Sequence, residues 1–216
     1  MNHHKTDQLK ITGFPLGMFQ TNCYVVEVGE QAWIVDGGQE PGELIAYLQD
    51  NDLVPQAVLQ THGHLDHIAG LFDIRSAFPD ISILIHENET EFLTDTGLNL
   101  SAGHGFPIMA PEATGTIAHG EVLTLNGVEF EVRHTPGHSP GGLTFINVAN
   151  NVAIVGDTLF AGSIGRYDFP TSDGPLLMKS IQEQLYTLPD DIVCLPGHGP
   201  ATTVGQEKRT NPYVRA

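Results

Sequence analysis

The sequence predicts a mixed α/β fold, with sheets packed face to face and helices outside. Three observations carry this. Ten short apolar, β-branched runs recur along the chain, each bounded by turn residues. Four segments with helical character lie between them. The order runs from strands alone, through mixed helix and strand, to a hairpin-rich second half ending in helix and strand. Such an order suits layers around a buried core.

The strand-like runs are Leu9–Ile11, Cys23–Val28, Trp33–Val35, Ala57–Gln60, Ile81–Ile85, Val122–Leu125, Val128–Val132, Leu143–Val148, Val152–Val155 and Ile192–Leu195. Asn126-Gly127 between two of them is a strong hairpin signal. Asn150-Asn151 marks a second hairpin. Pro41 to Asp50 carries Leu44, Ile45 and Leu48 at helical spacing, with Pro41 in the first turn. Ile68 to Phe78 and Glu87 to Leu93 also read as helical. Asp173 to Leu188 is the longest helical pattern, with Asp173 or Ser172 as its cap. Thr94 to Ala118 is rich in Gly and Pro and reads as a long loop, a length that often serves function. No linker or repeat divides the chain, so residues 1–216 read as a single domain.

Composition narrows the function. The 216 residues are 40% hydrophobic and 16% charged, as in globular proteins. The formal charge of -17 disfavours nucleic-acid phosphates and anionic membranes as partners. No apolar run approaches the ~18 residues of a membrane span. The polar start, Met1 to Asp7 with His3 and His4, lacks the apolar stretch of a signal peptide, so a cytoplasmic location is expected. Two cysteines, Cys23 and Cys194, sit in apolar runs and read as buried free thiols. Their number excludes a disulfide framework.

The segment Thr61-His62-Gly63-His64-Leu65-Asp66-His67 follows the apolar run Ala57-Val58-Leu59. Three imidazoles and a carboxylate so close together make a poor core and a good metal-ligand set. Four other fragments share its design, in which a strand ends and small residues turn the chain to present a ligand. They are Val35-Asp36-Gly37-Gly38, His134 to Gly142 with His138, Gly156-Asp157-Thr158-Leu159-Phe160, and Leu195-Pro196-Gly197-His198-Gly199-Pro200. The potential ligands are His62, His64, Asp66, His67, His138, Asp157 and His198. Seven groups exceed the needs of one catalytic ion and suit two ions sharing a carboxylate. The His and Asp donors suit Zn, Fe or Mn. His86 and His134, at strand ends, read as structural. His104 and His119 read as solvated, and Tyr167 and Phe169 as packing residues.

These motifs, in this order from Asp36 to Pro200, resemble the metallo-β-lactamase superfamily. Within it the chain is similar to the short glyoxalase II-like hydrolases, through Gly156 to Phe160, Gly165 to Pro170, the Pro196 to Pro200 turn and Asn211-Pro212-Tyr213. The resemblance implies a four-layer αββα sandwich with two divalent ions at one edge, zinc foremost. It implies that His62, His64 and His138 hold one ion, that Asp66, His67 and His198 hold the other, and that Asp157 bridges them. Asp36 then orients ligands from behind, and Asp66 steers the attacking water. The implied reaction is thioester hydrolysis, with S-D-lactoylglutathione or a related acyl thioester as the small-molecule substrate.

Two features depart from the full-length family pattern. Only Ala201 to Ala216 follow the last metal motif, without the C-terminal helical domain of full-length glyoxalase II. The family's Lys-x-Tyr pair for glutathione falls on Arg166 and Asp168; Arg166 keeps the positive charge and is the candidate substrate contact. The Gly165 to Phe169 stretch also resembles the mononuclear iron persulfide dioxygenases, whose final motif differs from Pro196 to Pro200. A lactonase or phosphodiesterase on the same scaffold is a further alternative.

Overall fold

The structure is a computed structural model and describes residues 8–216. The first sheet contains β1 (Leu9–Leu16), β2 (Thr21–Val28), β3 (Gln31–Val35), β4 (Val54–Leu59), β5 (Ser82–Ile85) and β6 (Gly115–Thr116), in that spatial order. Its first three strands pair antiparallel and the rest parallel. The second sheet is built from β7 (Val122–Leu125), β8 (Val128–His134), β9 (Leu143–Asn147), β10 (Val152–Gly156), β13 (Val193–Pro196) and β14 (Thr202–Thr203), ordered β14-β13-β10-β9-β8-β7. A two-stranded ribbon, β11 (Leu159–Phe160) and β12 (Ser163–Ile164), follows β10.

Both faces of β2, β3, β9 and β10 are buried, which is why these central strands read as apolar runs without clear alternation. Between the sheets lie Tyr24, Val26, Trp33, Val35 and Leu59 from one side and Phe130, Val132, Phe145 and Ile154 from the other. Trp33 meets Phe130 edge-on at 5.7 Å between ring centroids, a favoured aromatic geometry. The alternate residues Val25, Ile34, Val58 and Ile83 point outward onto α1 (Gly42–Asp50) and α3 (Leu71–Ala77). On the far side, Ile146, Ala153 and Val155 meet α4 (Gly174–Ser180) and α5 (Val204–Thr210). The order of layers is helix, sheet, sheet, helix, as expected.

Some elements differ from the sequence reading. The expected helix from Ile68 to Phe78 is split into a single turn, α2 (Leu65–Ile68), and α3, with Gly70 between them. Glu87 to Leu93 forms two 3-10 turns instead of an α-helix. The Asp173 pattern starts as expected, its carboxylate accepting from Leu176 N at 2.9 Å. After Ser180 it widens into a π turn over Ile181–Leu185, where Arg133 Nη1 donates to Gln184 O at 2.6 Å. The Thr94 to Ala118 loop contains a 3-10 turn at Ser101–His104 and the short β6. The Asn126-Gly127 hairpin forms as expected, with φ of 44° and 85°. Cys23 and Cys194 are buried free thiols. His3 and His4 lie outside the described residues. No helix among the described residues is long and apolar enough to cross a membrane.

Candidate metal centre

Every sequence-predicted ligand follows the carboxyl end of a strand, and all gather at one edge of the sandwich. Asp36 follows β3, the Thr61–His67 segment follows β4, His138 follows β8, Asp157 follows β10 and His198 follows β13. The rigid sheets fix the strand ends, and short turns aim the side chains. Three groups of potential ligand atoms lie within 4.8 Å of one another: His62, His64 and His138; Asp66, His67 and His198; and His62, His67 and Asp157. The first two triads are the two sets that the resemblance implies. Asp157 lies between them. Its Oδ1 is 3.5 Å from His67 Nε2, and its Oδ2 is 3.5 Å from His138 Nε2 and 3.6 Å from His198 Nε2.

The residues fit divalent ions on chemical grounds. His62 Nε2, His64 Nε2, His67 Nε2 and Asp157 Oδ1 are buried without hydrogen-bond partners. Each such atom costs about 1–3 kcal/mol unless something binds it. Burial and the neighbouring imidazoles hold His62 well below its ordinary pKa, and burial and His138 lower His64 to about 3. Neutral imidazoles are the form that binds metal. At His67 and His198 burial is outweighed by the neighbouring carboxylates, which raise the pKa, so each would release a proton on binding an ion. Burial would lift Asp66, but His67 and His198 outweigh it and keep the carboxylate ionised.

Hydrogen bonds behind the ligands fix their orientation. Asp36 Oδ2 meets His67 Nδ1 at 2.8 Å, while Thr61 donates to both Asp36 oxygens at 2.7 Å. Asp36 itself has a left-handed φ of 63°, a conformation Asp tolerates better than most residues. His138 Nδ1 lies 2.8 Å from Arg166 O. Thr21 Oγ1 donates to Asp66 Oδ2 at 2.9 Å. Tyr24 OH and Asn22 Nδ2 donate to Pro196 O, at 2.7 and 3.0 Å, and so pin the turn that carries His198. That turn requires Gly197, because a Cβ there would sit 2.2 Å from Asp157 Oδ1.

Glu89 is a site residue that the sequence reading missed. Its side chain is buried between two ligand-bearing loops, accepting from Gly63 N on one and from Gly141 N at 2.7 Å on the other. Burial raises its pKa to about 7 despite these donors. Nothing in Glu87-Asn88-Glu89 distinguishes it from a solvated acidic turn. His86 and His134 are structural, as expected: their rings stack at 4.2 Å, His86 Nδ1 accepts from Asn88 N, and His134 Nε2 lies 2.9 Å from Pro140 O.

A cavity of about 240 Å³ opens beside the ligands, walled by Phe19, Leu65, Leu100, His104, Phe160 and Phe169, with Arg166 at its edge. Arg166 Nε and Nη2 bond both oxygens of Asp168, at 2.9 and 2.8 Å, and its guanidinium lies 4.4 Å from the Phe169 ring centroid. Phe169, expected to serve packing, thus lines the cavity. His104 is exposed, as expected, but meets Phe19 edge-on.

The comparisons agree with this geometry. Residues 16–198 match the family described as "Metallo-beta-lactamase superfamily", and the chain belongs to it. The hydroxyacylglutathione hydrolase GloC of Haemophilus influenzae is 38% identical over 212 residues, 96% of this chain and 99% of that protein. The crystal structure of BLEG-1 B3 metallo-beta-lactamase is 38% identical, with a TM-score of 0.91 over 96% of this chain and 100% of that one. The structure of TTHA1623 in a di-iron-bound form is 37% identical, with a TM-score of 0.84 over 94% of this chain and 100% of that one. The chain is a metallo-hydrolase of this superfamily.

Proposed function

We propose that this protein is a binuclear metallohydrolase of glyoxalase II type, which hydrolyses small acyl thioesters such as S-D-lactoylglutathione. The carrying observation is the pair of ligand triads with Asp157 between them, beside an open cavity. The identity to the Haemophilus hydroxyacylglutathione hydrolase, over nearly all of both chains, supports the thioester substrate. In this reading His62, His64 and His138 would hold one ion, Asp66, His67 and His198 the other, and Asp157 would serve both. Two bound ions would supply Lewis acidity, enough to polarise a carbonyl and lower the pKa of a bound water. Zinc suits the His and Asp donors, as do iron and manganese, and the di-iron form of TTHA1623 favours testing iron. The single domain is expected to act in the cytoplasm.

The chain's own groups orient and shield. The Asp36 contact assigns the His67 proton to Nδ1 and leaves Nε2 for metal; the Arg166 carbonyl does the same for His138. Asp66 stands at the cavity wall, where its carboxylate can orient an attacking water. The aromatic walls flank the centre, and Arg166 at the edge is the proposed substrate contact.

The test is metal analysis of anaerobically purified protein, with activity assays on the same sample. Two metals per chain and thioester turnover without oxygen uptake are expected. One iron per chain with oxygen uptake driven by glutathione persulfide would instead assign a dioxygenase. Preference for a cephalosporin over every thioester would assign the activity named for BLEG-1.

A further inference from the structure

We propose that the cavity beside the metal centre selects thioesters with a neutral, apolar acyl chain, linear or aromatic, in preference to glutathione conjugates. This inference rests on the thioester hydrolase reading and narrows its substrate.

The walls are the first argument. Phe19, Leu65, Leu100, Phe160 and Phe169 come from five separate places in the chain and converge on one space. His104 meets both Phe19 and, beyond the lining residues, Phe106. Phe19, Leu100, Phe160 and Phe169 are each only half-buried, so an apolar acyl group would cover them and gain by burial. The cavity, at about 240 Å³, is smaller than the ~300–1,000 Å³ of sites that enclose drug-sized ligands. It has room for an acyl group, and because it is open the thiol half of a thioester would lie outside the apolar walls.

The backbone is the second argument. Leu100 has a left-handed φ of 71°, an outlier for a bulky residue. Its neighbour Asn99 holds it there. Asn99 is fully buried, donates to Phe92 O and Ile108 O at 2.9 and 3.0 Å, accepts from Ser101 N at 3.0 Å, and offers its carbonyl to Leu65 N at 2.9 Å. These bonds hold the strained residue against the cavity. Such strain gathers at ligand clamps.

Charge is the third argument. Arg166 is the only Lys or Arg lining the cavity among the described residues, and Asp168 takes two of its donors. Asp168 thereby competes with a glutathione carboxylate for the guanidinium. In the reaction, water adds to the acyl carbon and the C–S bond breaks. The products are a carboxylic acid and a thiol, with no oxidant or reductant consumed.

The test compares S-acetyl, S-butyryl, S-hexanoyl and S-benzoyl N-acetylcysteamine with S-D-lactoylglutathione on the metal-loaded protein. We expect kcat/KM to rise about fourfold per methylene until the cavity is filled, the value for burying a CH₂. The hexanoyl thioester should exceed lactoylglutathione. Leu100→Gly relieves the backbone strain, so metal content and Tm should hold or rise while the chain-length slope falls by about half or more. A flat chain-length series, lactoylglutathione as the best substrate, or an unchanged slope in Leu100→Gly would overturn the proposal and leave the hydrolase reading standing. No turnover of any thioester would overturn both.

Discussion

Glu89 has no basic side chain among its hydrogen-bond partners, yet it joins the loop between His62 and His64 to the loop after His138. Two backbone N–H groups on its two oxygens suit a carboxylate and not an amide. Glu89→Gln sets an NH₂ group against one of those donors. The expected cost is about 1–3 kcal/mol of stability and roughly tenfold in metal affinity, in the range of outer-shell substitutions. Urea unfolding and chelator competition on the metal-loaded protein measure the two effects, and a variant normal in both removes the clamp role. Asp157→Ala is expected to lose metal and nearly all turnover, since it withdraws the group facing both triads. Retention of two metals at a normal rate would reject the bridging assignment. The contrast between these residues explains what could be read from sequence. Asp157 and the six other proposed ligands stand in local motifs whose Gly and Pro contexts announce a turn presenting a side chain. Glu89 acquires its meaning only when Gly63 and Gly141, 78 residues apart, arrive on either side of it.

The elements that carry the site tolerate little intrusion. A Cβ at Gly165 would lie 1.9 Å from Asp157 O and 3.2 Å from His138 Cβ. Gly165→Ala must therefore displace the chain beneath two ligands. Metal content below half of wild type is expected; full occupancy would show that the β12 end yields freely. At the end of β5, burial and the stacked His134 hold His86 below its ordinary pKa of 6.5, although Glu87 opposes the shift. The unfolded chain takes up this proton near pH 6.5, while the folded chain resists it until lower pH. The folded state therefore loses stability as pH falls through and below 6.5. His86→Asn keeps an acceptor for Asn88 N and removes the titration. Its Tm relative to wild type is expected to rise between pH 7 and pH 5; a constant offset would contradict this. The long strands and α1 were legible because their apolar runs are dense and bounded. The two-residue strands β6, β11, β12 and β14 are too short for any period to register. Helix α5, VGQEKRT, exposes a mostly polar sequence, and only its Thr203 cap, accepting from Gln206 N at 3.2 Å, marks its start.

At the scale of the whole molecule, the formal charge of -17 acts on every approaching substrate. The two divalent ions of the proposed centre would offset about four of these charges and leave a strongly negative body. A field of one sign alters the encounter rate of a charged ligand, and salt screens it over a Debye length of ~8–10 Å near physiological ionic strength. A glutathione thioester carries two carboxylates against one amine and is a net anion, whereas an N-acetylcysteamine thioester is neutral. Repulsion therefore adds to the apolar cavity in disfavouring glutathione conjugates, and salt separates the two effects, because it weakens repulsion while leaving the cavity walls unchanged. Between about 20 and 300 mM salt, kcat/KM for S-D-lactoylglutathione is expected to rise several-fold, with the change confined largely to KM. The same titration should leave the hexanoyl thioester within about twofold. If both substrates respond alike, the field of the protein plays no part in selection. A fall for the glutathione thioester with rising salt would mean that a local cation, with Arg166 the first candidate, attracts the anion more strongly than the rest of the molecule repels it.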